Sequence, residues 1–138
     1  MAATLSLLEG CGPKISHYVL VENSLRARDT AKADQILKQS EKEYGTKSQV
    51  LYRMDRGMTL QLAGRYQDST AVLEQAEDEL DRLYTRRFRT EAKAFLINDT
   101  ELTYEGDAYE QVMINVLKAV NYAITGAWND AAVEARKI

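Results

Sequence analysis

Gly64-Arg65-Tyr66-Gln67-Asp68-Ser69, followed by Leu73 and Ala76, is the stretch whose reading decides the fold. Glycine adopts positive φ without steric cost, so Gly64 can end one helix and let the next begin two residues later. Tyr66, Ser69, Leu73, Ala76, Leu80 and Leu83 then recur three and four apart, which places them on one face of a helix. Ser69 is small enough to let a neighbouring helix approach, and Gly57, seven residues before the turn, does the same on the helix that precedes it. A large ring at Tyr66 suits the corner between the two helices. The stretch therefore reads as a helix, a tight turn and a second helix folded back on the first.

The pattern occurs twice more. Arg28-Asp29-Thr30-Ala31-Lys32-Ala33 is followed by Leu37 and Ser40, and Gly126-Ala127-Trp128-Asn129-Asp130-Ala131 by Ala135 and Ile138. Trp128 takes the corner position of Tyr66, and Ala33 and Ala131 take the small position of Ser69. Ala33, Leu37, Ser40 and Tyr44 share a face; so do Tyr109, Val112, Val116, Ala119 and Tyr122. Ala33 and Ser69 lie 36 residues apart, and Ser69 and Ala131 lie 62 apart. The first interval is close to the period of about 34 residues of tetratricopeptide (TPR) repeats, which these segments resemble. The second leaves roughly 28 residues over, an insert around 84–107.

The resemblance implies an all-α fold of TPR-like antiparallel helix pairs, an α-solenoid of about seven helices. Helices are predicted over 15–27, 31–44, 48–63, 66–86, 90–97, 109–125 and 128–137. Residues 1–14 form a lead-in or linker, and 15–138 form one helical domain with repeats near 15–45, 48–83 and 109–138. Two features depart from the TPR pattern: Arg53 and Arg56 stand where apolar residues are usual, and no Pro closes a repeat.

Composition narrows the function classes. The 138 residues are 45% hydrophobic and 28% charged, the balance of a chain that buries a core. A net charge of −3 gives no basic footprint for nucleic acid, so no nucleic-acid partner is expected. No apolar run approaches the roughly 20 residues of a membrane-spanning helix. One Cys forms no internal disulfide, and one Cys with one His makes a poor zinc set. In the insert, Asp99, Glu101, Glu105 and Asp107 lie in a polar loop, but their spacing matches no EF-hand. Gly10-Cys11-Gly12-Pro13-Lys14 lacks the spacing of a phosphate-binding loop. Cys11 and His17 have no third group to orient them, and His17 reads as a helix-face residue. Neither an enzyme, nor a cofactor, nor a metal site is expected. Along 66–86 acidic residues (Glu74, Glu77, Asp78, Glu79) precede basic ones (Arg82, Arg86), with Arg87 and Arg89 beyond, an order that suits the helix dipole. Asp78 and Arg82 sit one turn apart.

Near the start, Leu8-Glu9-Gly10-Cys11 resembles a bacterial lipobox, in which the cysteine becomes the lipid-bearing first residue. The alternative is a short amphipathic lead-in with Cys11 packed as a small hydrophobe. Beyond the lipobox, Leu51-Tyr52-Arg53-Met54-Asp55-Arg56-Gly57-Met58, the Gly64–Ser69 turn, Asn98-Asp99 with Tyr104-Glu105-Gly106-Asp107, Lys118-Ala119-Val120-Asn121-Tyr122 and Ala132-Val133-Glu134-Ala135-Arg136 are similar to a family of uncharacterised bacterial TPR-type lipoproteins. That likeness implies a non-catalytic protein–protein interaction scaffold of the cell envelope, lipid-anchored through Cys11 on the periplasmic side. It also implies that the chain is an N-terminal fragment or domain of a longer protein. The alternative is a soluble, self-assembling TPR adaptor without a lipid, in the cytoplasm or periplasm. In TPR domains the first helix of each pair lines the concave face. The matching positions are Tyr18, Glu22 and Leu25, then Met54, Met58 and Gln61, then Val116, Val120 and Ala123. They form a partner groove expected to take a peptide or protein.

Overall fold

A computed structural model describes residues 16–90 and 108–138. Among these the chain is all-helical, with six helices. They are α1 (Ser16–Arg26), α2 (Thr30–Tyr44), α3 (Gln49–Leu62), α4 (Tyr66–Thr90), α5 (Ala108–Ile124) and α6 (Trp128–Ala135). The fourth helix is one turn longer than its sequence pattern predicts. The rest of the helix expected over 90–97, the loop after it and Cys11 lie outside the described residues.

The three turns are copies of one another. At each, a backbone N–H reaches back three residues and the next reaches back five, the signature of a Schellman helix end. The bonds are Arg28 N–H to Leu25 O (2.9 Å) with Asp29 N–H to Ser24 O (2.8 Å), and Gly64 N–H to Gln61 O (2.9 Å) with Arg65 N–H to Leu60 O (2.9 Å). In the third, Gly126 N–H bonds Ala123 O (3.2 Å) and Ala127 N–H bonds Tyr122 O (2.8 Å). The first of each pair has positive φ: 60° at Arg28, 73° at Gly64 and 82° at Gly126. Glycine takes this conformation freely; arginine bears a steric cost of about 1–2 kcal/mol there. Asp29 compensates in part by capping α2, its Oδ1 accepting from Lys32 N–H at 3.0 Å.

Consecutive helices pack on one another, and α3 also touches α5. The apolar core has two parts. Val21, Ala33, Leu37, Tyr44 and Tyr52 close the joint of α1, α2 and α3. Val50, Met54, Leu73, Ala76, Leu83 and Ile114 close the joint of α3, α4 and α5. Helix α3 supplies both, so it is the spine of the domain. Gly57 on this helix admits Leu73 of α4, since an added Cβ there would stand 2.6 Å from Leu73 Cδ2. Ser69 reinforces the crossing by donating its hydroxyl to Gly57 O at 2.7 Å.

Two sequence expectations are corrected in the third pair. The buried face of α5 is not Tyr109–Val112–Val116–Ala119–Tyr122 but Ile114, Lys118 and Asn121, with Leu117 beside them, while Tyr109 is exposed. A lysine and an asparagine take core positions because partners await them. Lys118 Nζ lies 2.5 Å from Glu77 on α4 and 3.0 Å from the buried Glu134 on α6. Asn121 donates to Ser69 Oγ (2.9 Å) and accepts from Gln61 Nε2 (2.8 Å). Burial disfavours the Lys118 ammonium, yet the bonds it donates to Glu77 and Glu134 outweigh that and raise its pKa. Trp128 fills no corner; it is 69% exposed, and α6 packs chiefly on α5. Arg56, one of the two arginines that depart from the TPR pattern, has a partner as well. Its Nε bonds Asp34 Oδ1 at 3.1 Å, tying α3 to a buried aspartate of α2 that Lys38 and Arg65 also neutralise.

Candidate functional site

Between α1 and α3, floored by α2, lies a cleft of about 490 Å3. This is within the size range of small-ligand and side-chain pockets. Helix α1 contributes Tyr18, Val21, Glu22, Leu25 and Arg26; α3 contributes Asp55, Met58 and Thr59; α2 contributes Leu37. The helical spacing of Tyr18, Glu22 and Leu25 turns these three side chains toward α3, and Met58 stands opposite, 43% exposed at the mouth. Arg26 is engaged at the rim, its Nε and Nη2 donating to Glu22 Oε1 at 2.9 and 2.6 Å.

Asp55 is the polar feature of the cleft. Its Oδ2 accepts from the Tyr18 hydroxyl at 2.7 Å and from the Tyr44 hydroxyl at 2.8 Å. Tyr44 gives its one proton to Asp55, and its oxygen also lies 3.0 Å from His17 Nε2. His17 Nδ1 in turn lies 3.0 Å from Glu43 Oε2. The rings of His17, Tyr18, Tyr44 and Tyr52 pack in tilted and T-shaped pairs around this row, with neighbouring centroids 4.5–6.3 Å apart. Burial lifts the Asp55 carboxyl above the ordinary carboxylate value; the two hydroxyl bonds and the nearby His17 offset part of that, and Glu110 adds to it. Burial likewise pushes the Tyr18 hydroxyl up to about 12, and raises Tyr44 further. Two neutral hydroxyls thus orient this carboxylate at the base of a largely apolar cleft.

Of the nine groove positions read from the sequence, the structure brings four together at this cleft: Tyr18, Glu22, Leu25 and Met58. Met54 is buried in the second core joint instead. Gln61 is spent on α5, donating to Leu117 O (3.1 Å) and Asn121 Oδ1 (2.8 Å). Val116 and Ala123 are half-buried and Val120 is exposed on α5, and none lines the cleft. His17 lies on α1, as a helix-face residue should, and the face it occupies is buried, leaving it 7% exposed. Asp55 was missed as a site residue. The available signal was an acidic residue inside an otherwise apolar helical stripe, one position after Met54. Arg82 pairs with Glu79 at 2.5 Å rather than with the Asp78 carboxylate, and its Nε donates to Asp78 O.

Among the described residues there is no group of three or more His, Cys, Asp or Glu arranged to hold a metal ion. None of the described helices is long and apolar enough to cross a membrane. Comparison with family models, with curated proteins and with solved structures finds no match to the chain.

Proposed function

We propose that this chain is a TPR-like helical-repeat scaffold that binds a protein or peptide partner, without catalysis, in the cleft between the first helices of its first two repeats. The observation that carries the reading is the cleft itself. Two apolar walls with an adaptable Met at the mouth and one oriented carboxylate at the base are what peptide recognition requires. Support for the repeat assignment comes from the three equivalent Schellman turns at Arg28, Gly64 and Gly126. A lipid anchor at Cys11 and a place in the cell envelope remain part of the proposal on the lipobox resemblance alone. The intact mass of the protein made in a bacterial host tests them.

The binding assignment is tested by selecting peptides on the immobilised protein and re-measuring them on Met58→Glu, with Val133→Glu on the far side of the domain as control. Loss of binding in the first and retention in the second is expected. Retention in both refutes the cleft. A second reading has its own observation. Tyr109, Met113, Val120 and Ile124 form an exposed stripe along α5, a surface suited to self-association. Sedimentation velocity across a concentration series distinguishes a monomer from an assembling chain.

A further inference from the structure

We infer that the α1–α3 cleft recognises a basic side chain, a guanidinium or ammonium carried between apolar residues of an extended peptide, with Asp55 as its counter-ion. This rests on the cleft being a partner site and specifies what enters it. The argument is one of charge and surroundings. Two carboxylates line the cleft, Glu22 and Asp55, and one cation, Arg26. Arg26 is held on Glu22 by both its Nε and its Nη2, so the rim pair is self-neutralised. Asp55 is left as the unmatched charge of the cleft.

Its partners on the protein side are the hydroxyls of Tyr18 and Tyr44, which orient the carboxylate but carry no positive charge. His17 stands one link behind, bonded to Tyr44, and faces the exposed Glu43 on its other side. The charges of His17 and Glu110 act on Asp55 in opposite senses. A half-buried carboxylate loses hydration that an incoming cation restores, and an incoming anion meets repulsion that water screens poorly. The walls suit the stem of such a side chain. Val21, Leu25, Leu37 and Met58 line the path to Asp55, and the methylene chain of Arg or Lys packs on surfaces of this kind. The ring of Tyr18, pinned beside the carboxylate by its own hydroxyl bond, adds a cation–π surface. A single carboxylate already bonded by two hydroxyls is a poor cage for a metal ion, so the cation is organic.

The test titrates isotope-labelled protein with three capped tripeptides, Leu-Arg-Leu, its neutral isostere with citrulline at the centre, and Leu-Glu-Leu, following the Met58 methyl and the Val21 and Leu25 signals. The arginine peptide is expected to bind about tenfold or more tighter than the citrulline one, a difference of about 1.4 kcal/mol, and the glutamate peptide weakest. Asp55→Asn, which keeps both tyrosine bonds, should level arginine with citrulline. Arg26→Gln, which frees Glu22, should strengthen the arginine peptide several-fold, an effect opposite in sign to any loss of structure. If Asp55→Asn does not fold, the arginine–citrulline ratio and Arg26→Gln decide the matter alone. Citrulline binding as tightly as arginine at these signals overturns the cation assignment and leaves the cleft as a binding site. No perturbation by any peptide at millimolar concentration overturns both.

Discussion

Gly57→Ala should change sign with its background. In the native chain the new Cβ would lie 2.6 Å from Leu73 Cδ2 and 2.7 Å from Leu73 Cγ, and its three nearest neighbours are all atoms of this one side chain. Leu73 is fully buried and packed among Val50, Met54 and Ala76, so it cannot swing aside freely. Overpacking of this kind costs about 2 kcal/mol. Replacing a mid-helix glycine with alanine returns about 1 kcal/mol. The net effect is a destabilisation of about 1 kcal/mol. Leu73→Ala alone leaves a cavity and should cost about 3 kcal/mol. In that background the clash is gone and the added methyl partly fills the hole, so Gly57→Ala should now stabilise by about 1 kcal/mol or more. The coupling between the two positions is therefore about 2 kcal/mol, well outside the scatter of additive pairs. Urea denaturation of the four proteins, with slopes checked for equality, measures it. Additivity within about 0.5 kcal/mol would refute the argument that Gly57 is there to admit Leu73.

Three further outcomes rest on the same geometry. Lys118→Met removes the cation between Glu77 and the buried Glu134, leaving Lys137 as their partner, and should cost about 3 kcal/mol in chemical denaturation; adding Glu134→Gln should restore part of it. A loss below about 1 kcal/mol would show the site to be hydrated. Arg28→Gly should raise stability by about 1 kcal/mol, because it relieves a left-handed backbone at a non-glycine position; an unchanged midpoint would show that the Arg28 strain is already compensated. Stability should also fall in acid. Burial pushes Asp34 and Glu77 up, but bonds from Lys38 and Arg56 in one case, and Lys118 and Lys137 in the other, hold both carboxyls below their ordinary values. The unfolded chain then takes up these protons first, so their stabilisation is present above about pH 4 and is lost as pH falls through the folded values. Asp55 runs the other way, since its raised carboxyl protonates first in the folded chain. Asp34→Asn should be less stable at neutral pH and show a shallower decline from about pH 5 to about pH 3, read from urea midpoints; an equally steep decline would place the acid sensitivity elsewhere.

Local chemistry was enough to specify the six described helices and the turns between their pairs. Gly64 and Gly126 announce helix ends by conformational freedom, and three- and four-residue spacing marks the faces of α2 and α4, where Ala33, Leu37, Ser40 and Tyr44, then Ser69, Leu73, Ala76 and Leu83, are indeed buried. Even Arg28 could be aligned with the two glycines through the spacing of Ala33, Leu37 and Ser40 beyond it, although its backbone geometry is the costlier one. Such features depend on residues within a few turns of each other, and a linear pattern records them. The face of α5 could not be read in that way. Lys118 and Asn121 look like solvent positions until α4 and α6 bring Glu77, Glu134 and Ser69 against them, from 41, 16 and 52 residues away in sequence. Asp55 is the same case at the cleft. It becomes a half-buried, oriented carboxylate only because Tyr18 and Tyr44 arrive from two other helices. Whether a polar side chain is buried depends on the partner it finds, and only the packing of the helices supplies that partner.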